Sequence, residues 1–109
     1  MKLQSTSRRF AVVALISCLF AVLGYAQDDA KAIYMDRCST CHGPDGQGKT
    51  AKGRKLKVKS INETIGQNDE ATMIKIVADG KGDDMTGFKK QLTADQIKAV
   101  VGYYRSKAK

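Results

Sequence analysis

The sequence predicts a small all-α domain, and three features of the chain support this fold class. Apolar residues recur at helical spacing in several segments, and no segment alternates in polarity at every second residue as a strand does. The last helical segment begins with a complete capping signal, Thr93-Ala94-Asp95-Gln96. With 109 residues the chain forms one domain at most, and about three to four segments of it are predicted to be helical.

The N-terminus has the layout of a secretory signal peptide. A basic head that includes Arg8-Arg9 precedes an apolar run from Phe10 to Gly24, and Gly24-Tyr25-Ala26 forms a small-x-small cleavage site. The apolar run is shorter than the roughly 20 residues that a membrane-spanning helix requires. We therefore predict that residues 1–26 are removed on export and that residues 27–109 form the mature domain in the periplasm.

A lipoprotein signal is the alternative interpretation of this leader, because Leu15-Ile16-Ser17-Cys18 resembles a lipoprotein cleavage box. Processing at that point would leave Cys18 lipidated and would tether the protein to a membrane. Residues 19–26 remain apolar, however, whereas a lipoprotein turns polar after its cysteine. We expect the soluble exported form and keep the tether as the less favoured alternative.

The first predicted helix of the mature chain covers residues 28–37. Acidic residues lie in its first turn and Arg37 lies in its last, an order that suits the helix dipole. Ala30, Ile33 and Tyr34 recur at i, i+3 and i+4, which gives the helix one apolar face.

Directly after this helix, Cys38-Ser39-Thr40-Cys41-His42 has the C-x-x-C-H pattern to which c-type haem is attached. Residues three apart on a helical turn face the same side, so both sulfurs can reach the two vinyl groups of one porphyrin. His42 is then placed to ligate the iron. A redox dithiol would follow a strand and open a helix, and a structural zinc site needs four ligands. The sequence offers neither setting, and we predict covalent haem at Cys38, Cys41 and His42.

A glycine-rich segment follows from Gly43 to Lys59 and contains Pro44, the one proline of the chain. Its glycines predict a loop that turns sharply and lets the backbone approach a bulky neighbour. Two interpretations of its charge stay open: a solvated face, or a docking rim that attracts an acidic partner to the haem edge. The six basic residues concerned are Lys49, Lys52, Arg54, Lys55, Lys57 and Lys59.

Three further helical segments are predicted. Residues 61–66 form a short helical turn. A longer helix is predicted through Ala78, with Asn68-Asp69-Glu70 as its cap and first-turn acids and Gly80 just past its end. The terminal helix has an apolar stripe of Ile97, Val100, Val101 and Tyr104. Gly102 lies inside it, and either a close helix crossing or a tolerated surface position would explain this glycine.

Residues 80–88 are predicted to be irregular and contain Met85. A loop held between two helices downstream of His42 can bring a thioether to the opposite face of a haem. Met73 lies on an apolar helix face where core packing is expected, and Met35 is too close to Cys38 to reach that side. Met85 is therefore the favoured second axial ligand, and the resemblance described next also supports it.

CSTCHG, the glycine-rich loop, GKGDDM and the capped terminal helix together resemble a small bacterial class I c-type cytochrome over residues 27–109. The resemblance implies helices and loops wrapped around one covalently bound haem c, closed by N- and C-terminal helices that cross. It also implies thioether bonds at Cys38 and Cys41, His42 as proximal ligand and Met85 as distal ligand.

The chain departs from this family pattern at two positions. Thr86 stands where the family commonly has a proline after the ligand methionine, so we expect a less rigid loop. Arg54 stands near the place of a proline whose carbonyl accepts the Nδ1 proton of the haem histidine. We expect a backbone carbonyl between Gly53 and Leu56 to take that role.

A haem iron with both axial positions filled leaves no site for a substrate, so we predict a one-electron carrier and not an enzyme. A five-coordinate haem enzyme or sensor would need a distal histidine or arginine, and His42 is the one histidine of the chain. A haem-bearing subunit of a periplasmic dehydrogenase would keep the same chemistry with a permanent partner, and the sequence leaves that alternative open.

The charge of the mature chain favours acidic partners. Three of the 19 basic residues and none of the 11 acidic ones lie in the leader, which leaves a net charge of about +5 before two haem propionates are counted. We expect brief encounters of a monomer with acidic redox proteins, namely respiratory complexes, oxidases or dehydrogenases. Nucleic acid is not expected as a partner, because the chain carries no binding motif for it, and membrane contact is expected to be transient unless Cys18 is lipidated.

Overall fold

The computed structural model describes residues 29–109, which are mostly helical as predicted. The predicted leader, including Cys18, lies outside the described residues. No helix within 29–109 combines the length and apolar character needed to cross a bilayer. The elements are α1 (residues 29–37), α2 (Ser39–His42), α3 (Ala51–Lys55), α4 (Ile61–Gln67), α5 (Glu70–Asp79), β1 (Gly80–Lys81), β2 (Met85–Thr86) and α6 (Ala94–Arg105).

Side-chain caps determine where four of these helices begin. In α3, α4, α5 and α6 the residue before the helix accepts a hydrogen bond from a backbone N–H three residues later, which satisfies a donor that the helix leaves unpaired. The capping residues are Thr50, Ser60, Asp69 and Thr93. Thr93 and Gln96 form the complete capping box that the sequence predicted.

The segment predicted as a loop from Gly43 to Lys59 contains the short helix α3, so that prediction is wrong for residues 51–55. Gly53, which favours a loop by its residue type, lies buried inside this helix. A Cβ at Gly53 would overlap the carbonyl oxygen of Cys41 and lie 2.6 Å from that of Gly48. The glycine therefore serves the close packing of α3 on the preceding chain.

The irregular segment at residues 80–88 contains a short antiparallel ribbon that the sequence did not reveal. Gly80 of β1 pairs with Thr86 of β2, and Lys81 pairs with Met85. Two residues per strand are too few to show an alternating polarity pattern. Gly80 has a φ of +88°, which lets the chain leave α5 and enter the ribbon.

The hydrophobic core joins the two ends of the described chain. Tyr34 of α1 is 1% exposed, and its ring centroid lies 5.3 Å from that of Tyr103 and 5.9 Å from that of Tyr104, both in α6. Ile61, Met73 and Val101 form a buried cluster where α4, α5 and α6 meet. The predicted apolar faces of the first and last helices thus supply core residues.

Gly102 occupies a surface position. Outside its own turn of helix, no residue of 29–109 lies within 4 Å of a Cβ built at Gly102, so no close helix crossing within this part of the chain requires the glycine.

Candidate functional site

A cleft-like cavity of about 590 Å³ is lined by parts of the six helices within residues 29–109 and by the two-stranded ribbon. Its size falls within the range of roughly 300–1,000 Å³ that small-molecule and cofactor sites occupy. Cys38, Cys41, His42 and Met85 all line it, so the structure brings the four predicted site residues to one cavity. Much of the remaining wall is apolar and comprises Leu56, Val58, Met73, Ile76, Val77, Phe88, Val100 and Val101.

A tight helical turn presents the C-x-x-C-H residues to this cavity. The backbone N–H of Cys38 donates to Tyr34 O at 2.9 Å, and that of His42 donates to Cys38 O at 2.9 Å. Cys38, Cys41 and His42 consequently share the side of the turn that borders the cavity. Gly43 ends the turn with a φ of +83°, and its carbonyl oxygen accepts a 2.6 Å hydrogen bond from the Tyr34 hydroxyl.

Both cysteines of this turn are partly buried. Burial raises the pKa of the Cys38 thiol to about 11, and Cys41 acts in the same direction, while Arg37 opposes them. Reactive dithiols instead have a lowered pKa that supplies thiolate at neutral pH. Among residues 29–109, no group of three or more histidine, cysteine or acidic side chains is arranged to hold a metal ion. Neither the redox-dithiol nor the zinc interpretation gains support from this geometry.

The His42 imidazole lines the cavity, and its two nitrogens differ in exposure. Nδ1 is fully covered and has no hydrogen-bond partner among the described residues, so Nε2 is the nitrogen that a group in the cavity can reach. Burial lowers the pKa of His42, which favours the neutral imidazole, the form that binds metals.

The expected hydrogen bond from Nδ1 of His42 to a carbonyl between Gly53 and Leu56 is absent from the described residues. Two carbonyls of that stretch instead accept hydrogen bonds from backbone N–H groups just after α3. Val58 N donates to Gly53 O at 2.8 Å, and Lys57 N donates to Arg54 O at 3.2 Å. The prediction is wrong on this contact.

Met85 reaches the cavity from the short ribbon. A Cβ at Gly80 would lie 2.7 Å from the Met85 carbonyl oxygen and 2.8 Å from Gly87 N, so the ribbon folds back closely at the end of α5. Met73 also borders the cavity, but it is 4% exposed and belongs to the core, as the sequence predicted. Met35 is 41% exposed.

Basic side chains dominate the charged part of the cavity wall, and we call them the basic rim. One acidic residue, Asp84, lines the same cavity. Arg37 lies 3.8 Å from Asp36, and the other four rim residues take part in no salt bridge within the described chain. Lys59 donates a 3.2 Å hydrogen bond to Gln67. The basic rim comprises Arg37, Lys52, Lys57, Lys59 and Lys81.

Tyr104 is the site residue whose position the sequence did not indicate. Its ring centroid lies 5.0 Å from that of His42 in an edge-on arrangement, and its hydroxyl is buried. The apolar stripe of the last helix placed Tyr104 on the buried face of that helix. Such a stripe does not indicate which residue of another helix Tyr104 contacts.

Comparison with known proteins gives matches over most of the chain. Residues 26–103 match the family described as cytochrome C oxidase, cbb3-type, subunit III. The Cbb3-type cytochrome c oxidase subunit CcoP of Azospirillum brasilense is 26% identical over 80 residues, which cover 72% of this chain. The same residues cover only 27% of CcoP, so the match concerns a part of that longer protein.

Solved structures include neighbours of similar size. The KustC0563 c-type cytochrome superimposes with a TM-score of 0.67 and is 29% identical, covering 73% of this chain and 98% of its own. A mutant of Kustc0563 gives a TM-score of 0.64 at 29% identity, covering 71% of this chain and 95% of its own. The similarity therefore extends over nearly the whole of both neighbours.

Proposed function

The chain belongs to the cytochrome c family described as subunit III of cbb3-type cytochrome c oxidase, and from this membership we propose that it is a one-electron carrier with haem iron held between His42 and Met85. Its cofactor is covalently bound haem c. When bound, this group supplies an iron that alternates between Fe(II) and Fe(III). The observation that carries the proposal is that Cys38, Cys41, His42 and Met85 border one cavity.

Each of these side chains suits its proposed role. Cys38 and Cys41 lie on one side of a helical turn and would form the two thioether bonds. Burial lowers the pKa of His42, which favours the neutral imidazole that a metal ligand requires, and the covered Nδ1 leaves Nε2 for the iron. Met85 enters from the ribbon on a separate part of the chain, so it can supply a second ligand without competing with the turn for space.

Electron transfer without substrate chemistry is supported by what borders the cavity. A haem enzyme that activates peroxide or oxygen needs a distal acid–base group. His42 is the one histidine of the chain, and Arg37, the arginine of the rim, adjoins the attachment turn. We therefore propose no catalytic residue in this domain.

We further propose that the working form is residues 27–109 in the periplasm, after removal of residues 1–26. The leader pattern of the sequence supports export. Lipidation at Cys18 is the alternative; mass spectrometry of the mature N-terminus distinguishes the two forms.

The proposed partners are acidic surfaces of respiratory redox complexes, which the basic rim would attract to the haem edge. Opposite charges steer such encounters and raise their association rate at low ionic strength. A permanent subunit of a larger enzyme is the second candidate, because the chain matches a part of CcoP. A free carrier runs as a monomer on gel filtration at physiological salt, whereas a subunit purifies with its enzyme.

Absorption spectra of the protein matured in a cytochrome c biogenesis strain test the ligation. Ferric iron bonded to a thioether gives a weak red band, and we expect this band in the wild type and its loss in Met85→Ala, with covalent haem retained. Met73→Leu is the matched control, because Met73 borders the same cavity, and it should keep the band. A red band that survives Met85→Ala would overturn the assignment, and its loss in Met73→Leu would identify Met73 as the ligand instead.

A further inference from the structure

We propose that Tyr104, supported by Tyr34, is a positioning residue that sets the plane of the His42 imidazole. This inference rests on the proposed role of His42 as the proximal ligand, and it concerns how the ring is oriented. Orientation matters because the direction of an axial imidazole determines how its orbitals overlap with those of the iron, and hence the electronic structure that the haem presents.

The first observation is the contact between the two rings. The Tyr104 and His42 ring centroids lie 5.0 Å apart with an interplanar angle of 62°, an edge-on geometry that aromatic pairs prefer. Rotation of the imidazole about its Cβ–Cγ bond would break this geometry. Tyr104 therefore limits the plane of His42 by packing against it.

The second observation is that Tyr104 is itself held in place. Its ring stacks on that of Tyr34 at 5.9 Å and 21°, and Tyr34 is 1% exposed. The Tyr34 hydroxyl donates to the carbonyl of Gly43, the residue that follows His42. The contacts form a closed circuit from His42 to Tyr104, to Tyr34, to Gly43 and back along the chain.

The third observation concerns the usual alternative. Metal-binding histidines are generally oriented by a hydrogen bond from the second ring nitrogen to a carboxylate, a carbonyl or water. In this protein Nδ1 of His42 is covered and meets no such partner among residues 29–109. The aromatic circuit is the restraint that the described residues provide instead.

Three variants of the haem-loaded protein test this role. Tyr104→Leu removes the ring that contacts His42, and Tyr104→Phe keeps the ring but removes the hydroxyl. Tyr103→Leu is the matched control, because Tyr103 also packs on Tyr34, at 5.3 Å, from the same helix. Covalent haem content, far-ultraviolet circular dichroism, the haem methyl hyperfine shifts in ferric NMR spectra and the reduction potential are measured for each.

We expect Tyr104→Leu to change the order or spread of the haem methyl shifts and to move the potential, with covalent haem and helix content retained. Tyr104→Phe and Tyr103→Leu should give the wild-type pattern. The proposal is overturned if Tyr104→Leu keeps that pattern, if Tyr103→Leu alters it equally, or if Tyr104→Phe behaves like Tyr104→Leu.

Tyr34→Phe tests the same proposal if the Tyr104→Leu protein does not fold or accumulate. It keeps the stacking ring and removes only the hydrogen bond to Gly43, so a smaller shift of the hyperfine pattern is expected, and an unchanged pattern counts against the circuit. Failure of the underlying ligand assignment is separately visible, because the wild-type spectrum would then lack the signals of an iron-bound imidazole.

Discussion

Replacing Gly53 by alanine tests how α3 is packed against the haem-attachment turn. The added Cβ would overlap Cys41 O and lie 2.6 Å from Gly48 O and 3.0 Å from Thr50 Oγ1. Two of these atoms belong to the backbone and cannot rotate away. Gly48 must move by about 0.8 Å to reach an ordinary 3.4 Å contact, and its N–H donates to His42 O at 2.7 Å. Displacement of Gly48 would therefore also strain the turn that carries Cys38, Cys41 and His42.

The expected cost follows from two opposing effects. Overpacking costs typically 1–3 kcal/mol, and the overlap with backbone oxygens puts this site at about 3 kcal/mol. Alanine in a helix gains about 1 kcal/mol over glycine. The free energy of unfolding should fall by about 2 kcal/mol, which lowers Tm by roughly 8–16 °C in a domain of this size.

Thermal unfolding of the haem-loaded protein, followed by circular dichroism, measures the effect. Gly66→Ala in α4 and Gly102→Ala in α6 are matched controls, because no described residue lies within 4 Å of a Cβ at either position. Both controls should raise Tm by a few degrees. A Gly53→Ala protein as stable as the controls would refute the close packing of α3 on the turn.

Three further predictions concern the caps, the buried tyrosine and the basic rim. Thr93→Ala removes the capping box of α6 and should lower the free energy of unfolding in urea by about 1 kcal/mol, whereas Thr93→Ser keeps the cap and should change it little. Burial raises the pKa of Tyr34 above its usual range, so the unfolded state loses this proton first, and stability should fall as pH rises above about 10. Tyr34→Phe should weaken that alkaline loss, and an equally steep loss in the variant would contradict burial of the Tyr34 hydroxyl as its cause. Oxidation of the reduced protein by the ferricyanide anion should slow in Lys57→Glu/Lys59→Glu and lose much of its salt dependence. The exposed control Lys75→Glu/Lys98→Glu should be oxidised at the wild-type rate. Equal slowing in both variants would show that the basic rim has no special role at the haem edge.

The sequence was most informative where local chemistry determines the outcome. The C-x-x-C-H pattern, the Thr93 cap and the stripe from Ile97 to Tyr104 depend on residues close in the chain, and the structure has each as an element or face in the expected place. The sequence was least informative where one part of the chain meets another. It predicts a loop at Gly53, because the need for a missing Cβ there arises from the Cys41 carbonyl, which no local pattern reports.

The same distinction between local patterns and distant contacts explains which features of the site the sequence predicted. Cys38, Cys41 and His42 were identifiable because the C-x-x-C-H pattern is specific, whereas Met85 was chosen from its place in a loop downstream and from the family resemblance; the roles of all four stay predictions. The contact of Tyr104 with His42 depends on how α6 lies against α2. The unpartnered Nδ1 of His42 depends on which donors the carbonyls at the end of α3 accept hydrogen bonds from. Both are properties of packing between elements distant in sequence.

The ribbon that carries Met85 is joined by only two residue pairs, Gly80 with Thr86 and Lys81 with Met85. Segments with so few backbone bonds and so much exposure open locally at a small fraction of the free energy of global unfolding. Under the proposed ligation, each such opening would expose the sixth position of the iron to cyanide or imidazole while the helices stay folded. The rate at which small molecules bind the iron would then depend on local opening of this ribbon. The choice of threonine or proline at residue 86 would change that rate without altering any residue that contacts the haem.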